Sequence, residues 1–180
     1  MMEAMPDLRL DRVAARESRD QVGTAFEDFF DLEYERLLRA LYLVVGERQE
    51  AEDLAQDAFV KVLERWETVR WMDSPTGYLY RTAMNTFRTR YRRAVMAVRR
   101  IAFLAPRQRN AFEDVEITAD VRGALTALTP RQRAAIVLTE LLGYGSEEAA
   151  SIMGIEPSTV RALTTQARAR MRSAIGGDRG

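Results

Sequence analysis

The sequence contains no cysteine and no histidine among its 180 residues. The first absence excludes disulfides and thiolate ligands; the second removes the commonest general base and metal ligand, so conventional catalytic triads and zinc sites go with it. Glycine (ten) and proline (five) are sparse, period-two alternation is nowhere sustained, and runs of Ala, Leu, Arg and Glu dominate. That balance predicts an all-α protein. No apolar run approaches the roughly 18 residues of a membrane span, and the N-terminus lacks the continuous apolar core of a signal peptide, which points to a cytoplasmic protein with no membrane insertion. Acid, base and nucleophile groups do not converge anywhere, so the expectation is a non-enzyme with no catalytic residues, no cofactor and no metal. Lysine is nearly absent too: of 27 basic residues only Lys61 is one. An arginine bias of this kind fits a GC-rich genome and says nothing of function.

What is present is segregated charge. The formal net charge is zero, yet from Ser74 to Phe112 there is no Asp or Glu, while Arg81, Arg88, Arg90, Arg92, Arg93, Arg99, Arg100, Arg107 and Arg109 accumulate. The preceding stretch, Phe26 to Asp73, carries thirteen acids against six bases. One local surface suits a polyanion and its neighbour repels one.

In chain order, Met1 to Gly23 shows no motif and reads as a mobile extension. From Phe26, apolar residues recur at spacings of three and four (Phe29, Phe30, Tyr34, Leu37, Leu38, Leu41) up to Gly46, which predicts an amphipathic helix. A second helix follows from about Gln49, with Ala51, Leu54, Ala55, Ala58, Phe59, Val62, Leu63 and Trp66 on its apolar stripe. On its other face Asp53, Gln56 and Asp57 fall at i, i+3 and i+4. Such a patch can pair with arginines on a partner helix, ligate a divalent cation, or simply be solvated. Thr68 to Asp73, with Trp71, is a predicted loop; Trp71 could stack on an unpaired base or anchor the loop to the core. Ser74-Pro75 then caps a basic helix running to about Arg93. Leu79, Tyr80, Ala83, Met84, Phe87 and Tyr91 share one arc of it. Arg81, Asn85, Arg88 and Arg92 lie opposite, bordered by Tyr78 and Thr89, and offer phosphate contacts, hydrogen bonds to base edges and a ring to stack on, or else a solvated face.

Residues 95–117 read as a linker: periodicity fades after Leu104 and Pro106 interrupts, although Val95 to Ile101 could extend the preceding helix. Residues 118–175 form a second half. Val121, Ala124, Leu125 and Leu128 make a short helix; Thr129-Pro130 restarts one that runs through Ile136, Val137 and Leu141 to Gly143; Ser146 is expected to cap the next; Gly154 supplies a left-handed turn; and Pro157 opens the last. On that last helix Val160, Leu163, Ala167 and Met171 group on one arc, with Ser158, Arg161, Thr165, Arg168 and Arg172 on the other. A polar, basic face after a short glycine-containing turn is a recognition-helix arrangement.

Ala51-Glu52-Asp53-Leu54-Ala55-Gln56-Asp57-Ala58-Phe59, then Trp66, then Tyr78-Leu79-Tyr80-Arg81-Thr82-Ala83-Met84-Asn85, closely resembles region 2 of bacterial sigma factors of the extracytoplasmic-function (ECF) family. Leu128-Thr129-Pro130-Arg131-Gln132-Arg133, Glu147 to Gly154 and Ser158-Thr159-Val160-Arg161 resemble region 4 of the same family, a helix-turn-helix. The resemblance implies two small helical domains, region 2 over 24–94 and region 4 over 118–175, joined by the linker. It implies a protein that directs core RNA polymerase to promoter DNA and initiates transcription, with an anti-sigma factor as a further partner. Residue by residue it assigns polymerase docking to Asp53, Gln56 and Asp57. Minus-ten recognition and melting fall to Trp71, Tyr78, Arg81, Asn85, Arg88 and Arg92, and minus-thirty-five contacts to Ser158, Thr159, Arg161, Thr165, Gln166 and Arg168. Two features depart from the family pattern: Glu156 replaces a serine cap, and Leu163-Thr164-Thr165-Gln166 replaces a more basic run, with threonine in a core leucine slot. A sigma-like decoy, or a plain helix-turn-helix regulator, is the alternative.

Overall fold

A computed structural model describes the backbone over residues 8–100 and 119–176 and the side chains within 25–96 and 120–175. Among the described residues eight α-helices follow one another: α1 Leu8–Val45, α2 Arg48–Leu63, α3 Trp66–Val69, α4 Pro75–Arg100, α5 Ala119–Thr126, α6 Pro130–Ile136, α7 Ser146–Met153 and α8 Pro157–Gly176. A π-helical turn, Val137–Leu141, prolongs α6. There is no strand among the described residues. The fold is all-α, in two helical groups, α1–α4 and α5–α8. The expected linker beyond Arg100 lies outside the described residues.

In the first group the apolar stripes meet as their spacing requires. Leu37, Leu41 and Val44 of α1, Leu54, Ala58 and Val62 of α2, and Leu79 and Ala83 of α4 are fully buried. Removing a leucine side chain of this size from water stabilises by about 1.5–3 kcal/mol. Above them Phe30 packs on Phe59 and Phe29 on Trp66, with ring centroids 4.7 and 5.0 Å apart. The second group buries Ala124, Leu125, Leu128, Ala135, Leu138, Ile152, Val160 and Ala167.

Several expectations need correction. Residues from Leu8 onward, read as a mobile extension, are helical and continuous with α1; Leu, Ala, Arg and Glu are good helix formers and no proline lies between Pro6 and Val45, so no proline stops the helix propagating backward. The second helix does not reach Trp66. It ends at Leu63, and a turn in which the Arg65 amide donates to the Val62 carbonyl sets the indole of Trp66, the first residue of α3, against Phe26 and Phe29. Leu63, at the edge of the stripe, is exposed. The first two residues of the segment expected as a loop, Thr68 and Val69, therefore belong to the short helix α3, leaving 70–74 as the connection. α4 passes Arg93 and takes in the first six residues of the expected linker. Ser146 is the first residue of α7 rather than its cap: the cap is Gly145, whose amide donates to Glu148 Oε2 at 2.9 Å. Leu141 is exposed because the π turn inserts a residue and rotates the stripe away from the core, and Val121 is partly exposed in the first turn of α5.

The two groups are in contact. Arg133, buried on α6, donates through Nε to the Val44 carbonyl at the end of α1 (2.7 Å) and through Nη1 to the Leu125 and Leu128 carbonyls (3.3 and 3.1 Å). These acceptors close helix ends, where carbonyls lack intrahelical donors. Burial pushes the guanidinium below its ordinary pKa. The Tyr80 and Tyr144 rings pack edge-on across the same seam at 6.0 Å, and burial, with Glu33 nearby, raises both phenols, Tyr144 adding to the shift of Tyr80 and Glu148 to that of Tyr144.

Candidate functional site

The acidic face of α2 is set by its start. Glu47 caps the helix, its carboxylate oxygens accepting from the Gln49 and Glu50 amides at 3.0 and 2.9 Å. With Ala51, Leu54, Ala55 and Ala58 turned inward, Asp53, Gln56 and Asp57 must face out. Asp53 Oδ1 accepts from Gln49 Nε2 at 3.1 Å, while Asp57 Oδ2 pairs with Arg90 Nη2 of α4 at 2.5 Å. The carboxylates are thus turned to different partners, and no group of three or more Asp or Glu among the described residues could hold a metal ion. Val60, one turn beyond, is 55% exposed and completes an i, i+3, i+4, i+7 series with this patch. An exposed β-branched residue in line with the acids was legible from spacing alone, but sequence reasoning missed it.

Trp71 is 77% exposed, the Arg70 guanidinium carbon lying 4.9 Å from its ring centroid. The core is instead sealed by Trp66 and Val69, so Trp71 does not anchor its segment. The α4 helix follows at once: the Ser74 hydroxyl accepts from the Gly77 amide at 3.0 Å, and Pro75 takes the first position. Its buried arc is Leu79, Tyr80, Ala83, Met84 and Phe87, as expected, with Tyr91 partly exposed.

The opposite arc divides. Tyr78, Thr82, Asn85, Thr89 and Arg93 line an open polar cleft of about 820 Å³ against Lys61 and Arg65 of the first group. Arg81 and Arg88 instead point at α7: Arg81 Nη2 donates to Ser151 Oγ at 2.5 Å, and Arg88 Nη1 donates to the Met153 and Gly154 carbonyls, each at 3.1 Å. Arg88 Nη2 also donates to Asn85 Oδ1 at 3.0 Å. Arg92 lines an apolar groove beside them.

Within the second group the Thr129 hydroxyl and Gln132 form a reciprocal cap for α6. Gly154 adopts φ +64°, and Pro157 opens α8. Ser158, Arg161, Thr165, Gln166 and Arg168 are exposed and Thr159 partly so. Arg168 Nη2 meets Glu140 Oε1 at 2.5 Å, and Gln166 Oε1 accepts from Gln132 Nε2 at 3.2 Å. Thr164, in the slot read as a core leucine, is buried with its hydroxyl unpartnered.

This arrangement has counterparts among known proteins. The family model for sigma-70 region 2 matches residues 29–95, and that for sigma-70 region 4 matches 118–171. The RNA polymerase sigma-E factor of Streptomyces coelicolor is 30% identical over 156 residues, covering 83% of this chain and 85% of that one. The chain belongs to the ECF sigma factor family. The ECF RNA polymerase sigma factor SigE of Mycolicibacterium smegmatis is also 30% identical, over 77% of the chain, which spans 56% of that longer protein. Two solved structures share the fold. The sigma factor RpoE from Bartonella quintana, in complex with the anti-sigma factor NepR, superposes with a TM-score of 0.69 at 23% identity, over 86% of this chain and 99% of that one. CnrH, in complex with the cytosolic domain of CnrY, does so at 0.60 and 23%, over 93% and 98%. No described helix of this ECF sigma factor is long and apolar enough to cross a membrane.

Proposed function

We propose that this ECF sigma factor directs core RNA polymerase to a specific promoter set in the cytoplasm, as a binding and melting factor without catalysis of its own. The observation that carries the reading is the sequence in space of three surfaces: an acidic helix face at Asp53, Gln56 and Asp57, an exposed Trp71, and a basic helix α4 immediately after it. The acidic face offers its carboxylates to a basic surface on the polymerase. Trp71, with no packing role, is free to stack on a base extruded from the minus-ten duplex, while Arg81, Arg88 and Arg92 neutralise strand phosphates and Tyr78 and Asn85 contact bases. On α8, Ser158, Thr159, Arg161, Thr165, Gln166 and Arg168 face the minus-thirty-five element, which fixes the distance between the contacts of the two groups on one promoter. Regulation by an anti-sigma factor fits the same reading, because the sigma factor RpoE was solved in complex with the anti-sigma factor NepR.

The test is transcription by purified core polymerase with the full chain on a library of genomic fragments. Promoter-specific transcripts that vanish without the chain are expected. A chain that binds core polymerase yet yields no specific transcript would instead be a sigma-like decoy.

A further inference from the structure

Of 27 basic residues only Lys61 carries a side-chain amine; the rest are guanidiniums. The difference is chemical. An arginine keeps its charge throughout the physiological range, whereas an ε-amine that gives up its proton is a nucleophile. Lys61 is exposed in the last turn of α2, and its position is defined. Nζ donates to Thr86 Oγ1 of α4 at 2.9 Å, while that hydroxyl donates in turn to the Thr82 carbonyl at 3.1 Å. With its own proton engaged, the hydroxyl turns a lone pair to the amine and holds Nζ at the wall of the open polar cleft of about 820 Å³ between α2 and α4.

The charges around the amine favour an anion. Arg65, Arg90 and Arg93 line the cleft with Lys61, against Asp57 and Glu64. Asp57 is taken by Arg90, and neither Arg65 nor Arg93 pairs with a carboxylate among the described residues. Guanidinium forks match phosphate oxygens. A small molecule whose phosphate is held by Arg65 and Arg93 has the remainder of its structure in the same cleft as Nζ, and proximity of this kind is what raises the rate of a bimolecular transfer.

We propose that Lys61 is an acylation site whose donor is an acyl phosphate, bound in this cleft by Arg65 and Arg93. The ammonium first loses a proton to solvent, to which the cleft is open. The Nζ lone pair then attacks the carbonyl carbon of the donor; the N–C bond forms as the bond from that carbon to the phosphate oxygen breaks. Inorganic phosphate leaves with the electron pair and the second proton, and an uncharged amide remains on the lysine. The cleft wall that loses this charge is shared with Tyr78, Asn85 and Thr89. The consequence rests on the reading of α4 as the minus-ten helix: with one cation fewer beside the strand, acylation weakens the hold on DNA. An arginine at position 61 would carry the same charge and be inert to the donor.

The folded full chain is treated with acetyl phosphate, and acetyl groups are located by mass spectrometry of its peptides, with the N-terminal amine as internal reference. Acetylation of Lys61 should saturate with acetyl phosphate concentration and be suppressed by inorganic phosphate, while the N-terminal amine reacts in simple proportion to the donor. Arg65→Ala with Arg93→Ala should remove the saturation and slow Lys61 about tenfold relative to the reference. An unmodified Lys61, or one modified in proportion to the donor and indifferent to phosphate, overturns the site; the phosphate competition needs no variant. For the consequence, the treated chain is freed of donor and assembled with core polymerase. It should bind a fluorescent single-stranded DNA of mixed sequence roughly fivefold more weakly than the untreated chain, with a salt slope smaller by about one unit. Lys61→Gln should reproduce that loss without treatment, and binding by Lys61→Arg should not change on treatment. Acetylated chain that binds as tightly as before, or an equal loss in treated Lys61→Arg, overturns the control of binding through Lys61. Transcription by the untreated holoenzyme separates the two failures. Promoter-specific transcripts with an unreactive Lys61 sink the acylation site alone, whereas saturable, phosphate-sensitive acetylation without any specific transcript sinks the function and the consequence drawn from it.

Discussion

Asp57 of α2 and Arg90 of α4 form an ion pair, Oδ2 to Nη2 at 2.5 Å, which joins the acidic face to the basic helix. Both side chains are substantially solvated, 45% and 37% exposed, so the pair contributes about 0–1 kcal/mol to folding. Its consequence is one of geometry: a partner bound on the acidic face competes with, or repositions, an arginine on the helix proposed to take the minus-ten strand.

That relationship sets the first prediction. Asp53→Lys with Asp57→Lys should abolish co-purification with core polymerase, because two reversals oppose a basic partner directly while costing about 1 kcal/mol or less of folding free energy. Arg90→Ala breaks the same ion pair but keeps the carboxylate, and should leave co-purification intact. If Arg90→Ala is as defective as the double reversal, the ion pair and not the acidic face carries docking.

Trp71→Ala should lose roughly 1–3 kcal/mol of binding to single-stranded minus-ten DNA in the holoenzyme. The ring is mostly in solvent, so the thermal midpoint of the chain should stay put. A lowered midpoint with unchanged strand affinity would assign Trp71 to folding after all.

The periodic residues of this chain were legible, and the residues that join its parts were not. Leu37, Leu54, Leu79 and Val160 are placed by spacing alone, since a 3.6-residue repeat leaves an apolar side chain one place to go. The outward direction of Asp53, Gln56 and Arg161 follows from the same repeat. Arg133 stood in the sequence only as the last residue of the Leu128–Arg133 motif; the fold shows that it faces three carbonyls, because the end of α1 that it joins to the nearby end of α5 is far from it along the chain. Ser151 was likewise invisible until Arg81 was found across from it. The π turn at Val137–Leu141 and the break before Trp66 depend on tertiary packing and leave no local signature.

Thr164 offers a stability test. Its hydroxyl is buried without a partner on α8, in a slot that an apolar side chain would fill. Thr164→Val keeps the shape and removes the unsatisfied group, and should raise stability by about 1 kcal/mol, read as a higher urea midpoint at an unchanged m-value.

Glu50 gives a pH dependence of defined sign. Burial first, and then the nearby Glu47 carboxylate, raise its pKa above the ordinary carboxylate value, despite the opposing charge of Arg90. A folded-state pKa above the unfolded one means that the native state binds the proton more tightly, so ionising Glu50 destabilises the fold as pH rises through that raised value. Glu50→Gln should therefore stabilise the chain at neutral pH, by less than about 1 kcal/mol for a group this solvated, and the advantage should shrink as pH falls through the carboxylate range. An advantage that persists or grows at low pH would rule out ionisation as its cause.

The last prediction concerns the division of labour on α8. Arg161 stands in the exposed first turns, where recognition helices meet base edges; Arg168, two turns on, is already paired with Glu140 at 2.5 Å. A guanidinium steadied by a neighbouring carboxylate and far from the helix start suits a backbone contact. Arg168→Ala should weaken holoenzyme binding across a promoter library uniformly and reduce the salt slope by about one unit, whereas Arg161→Ala should relax preference at one upstream position by about 1–3 kcal/mol. Glu140→Ala sharpens the comparison: freeing Arg168 from its carboxylate should strengthen binding at low salt without changing sequence preference. If Glu140→Ala alters preference instead, Arg168 reads bases, and the two arginines exchange roles. If none of the three substitutions changes affinity, slope or preference, α8 does not touch the upstream element at all.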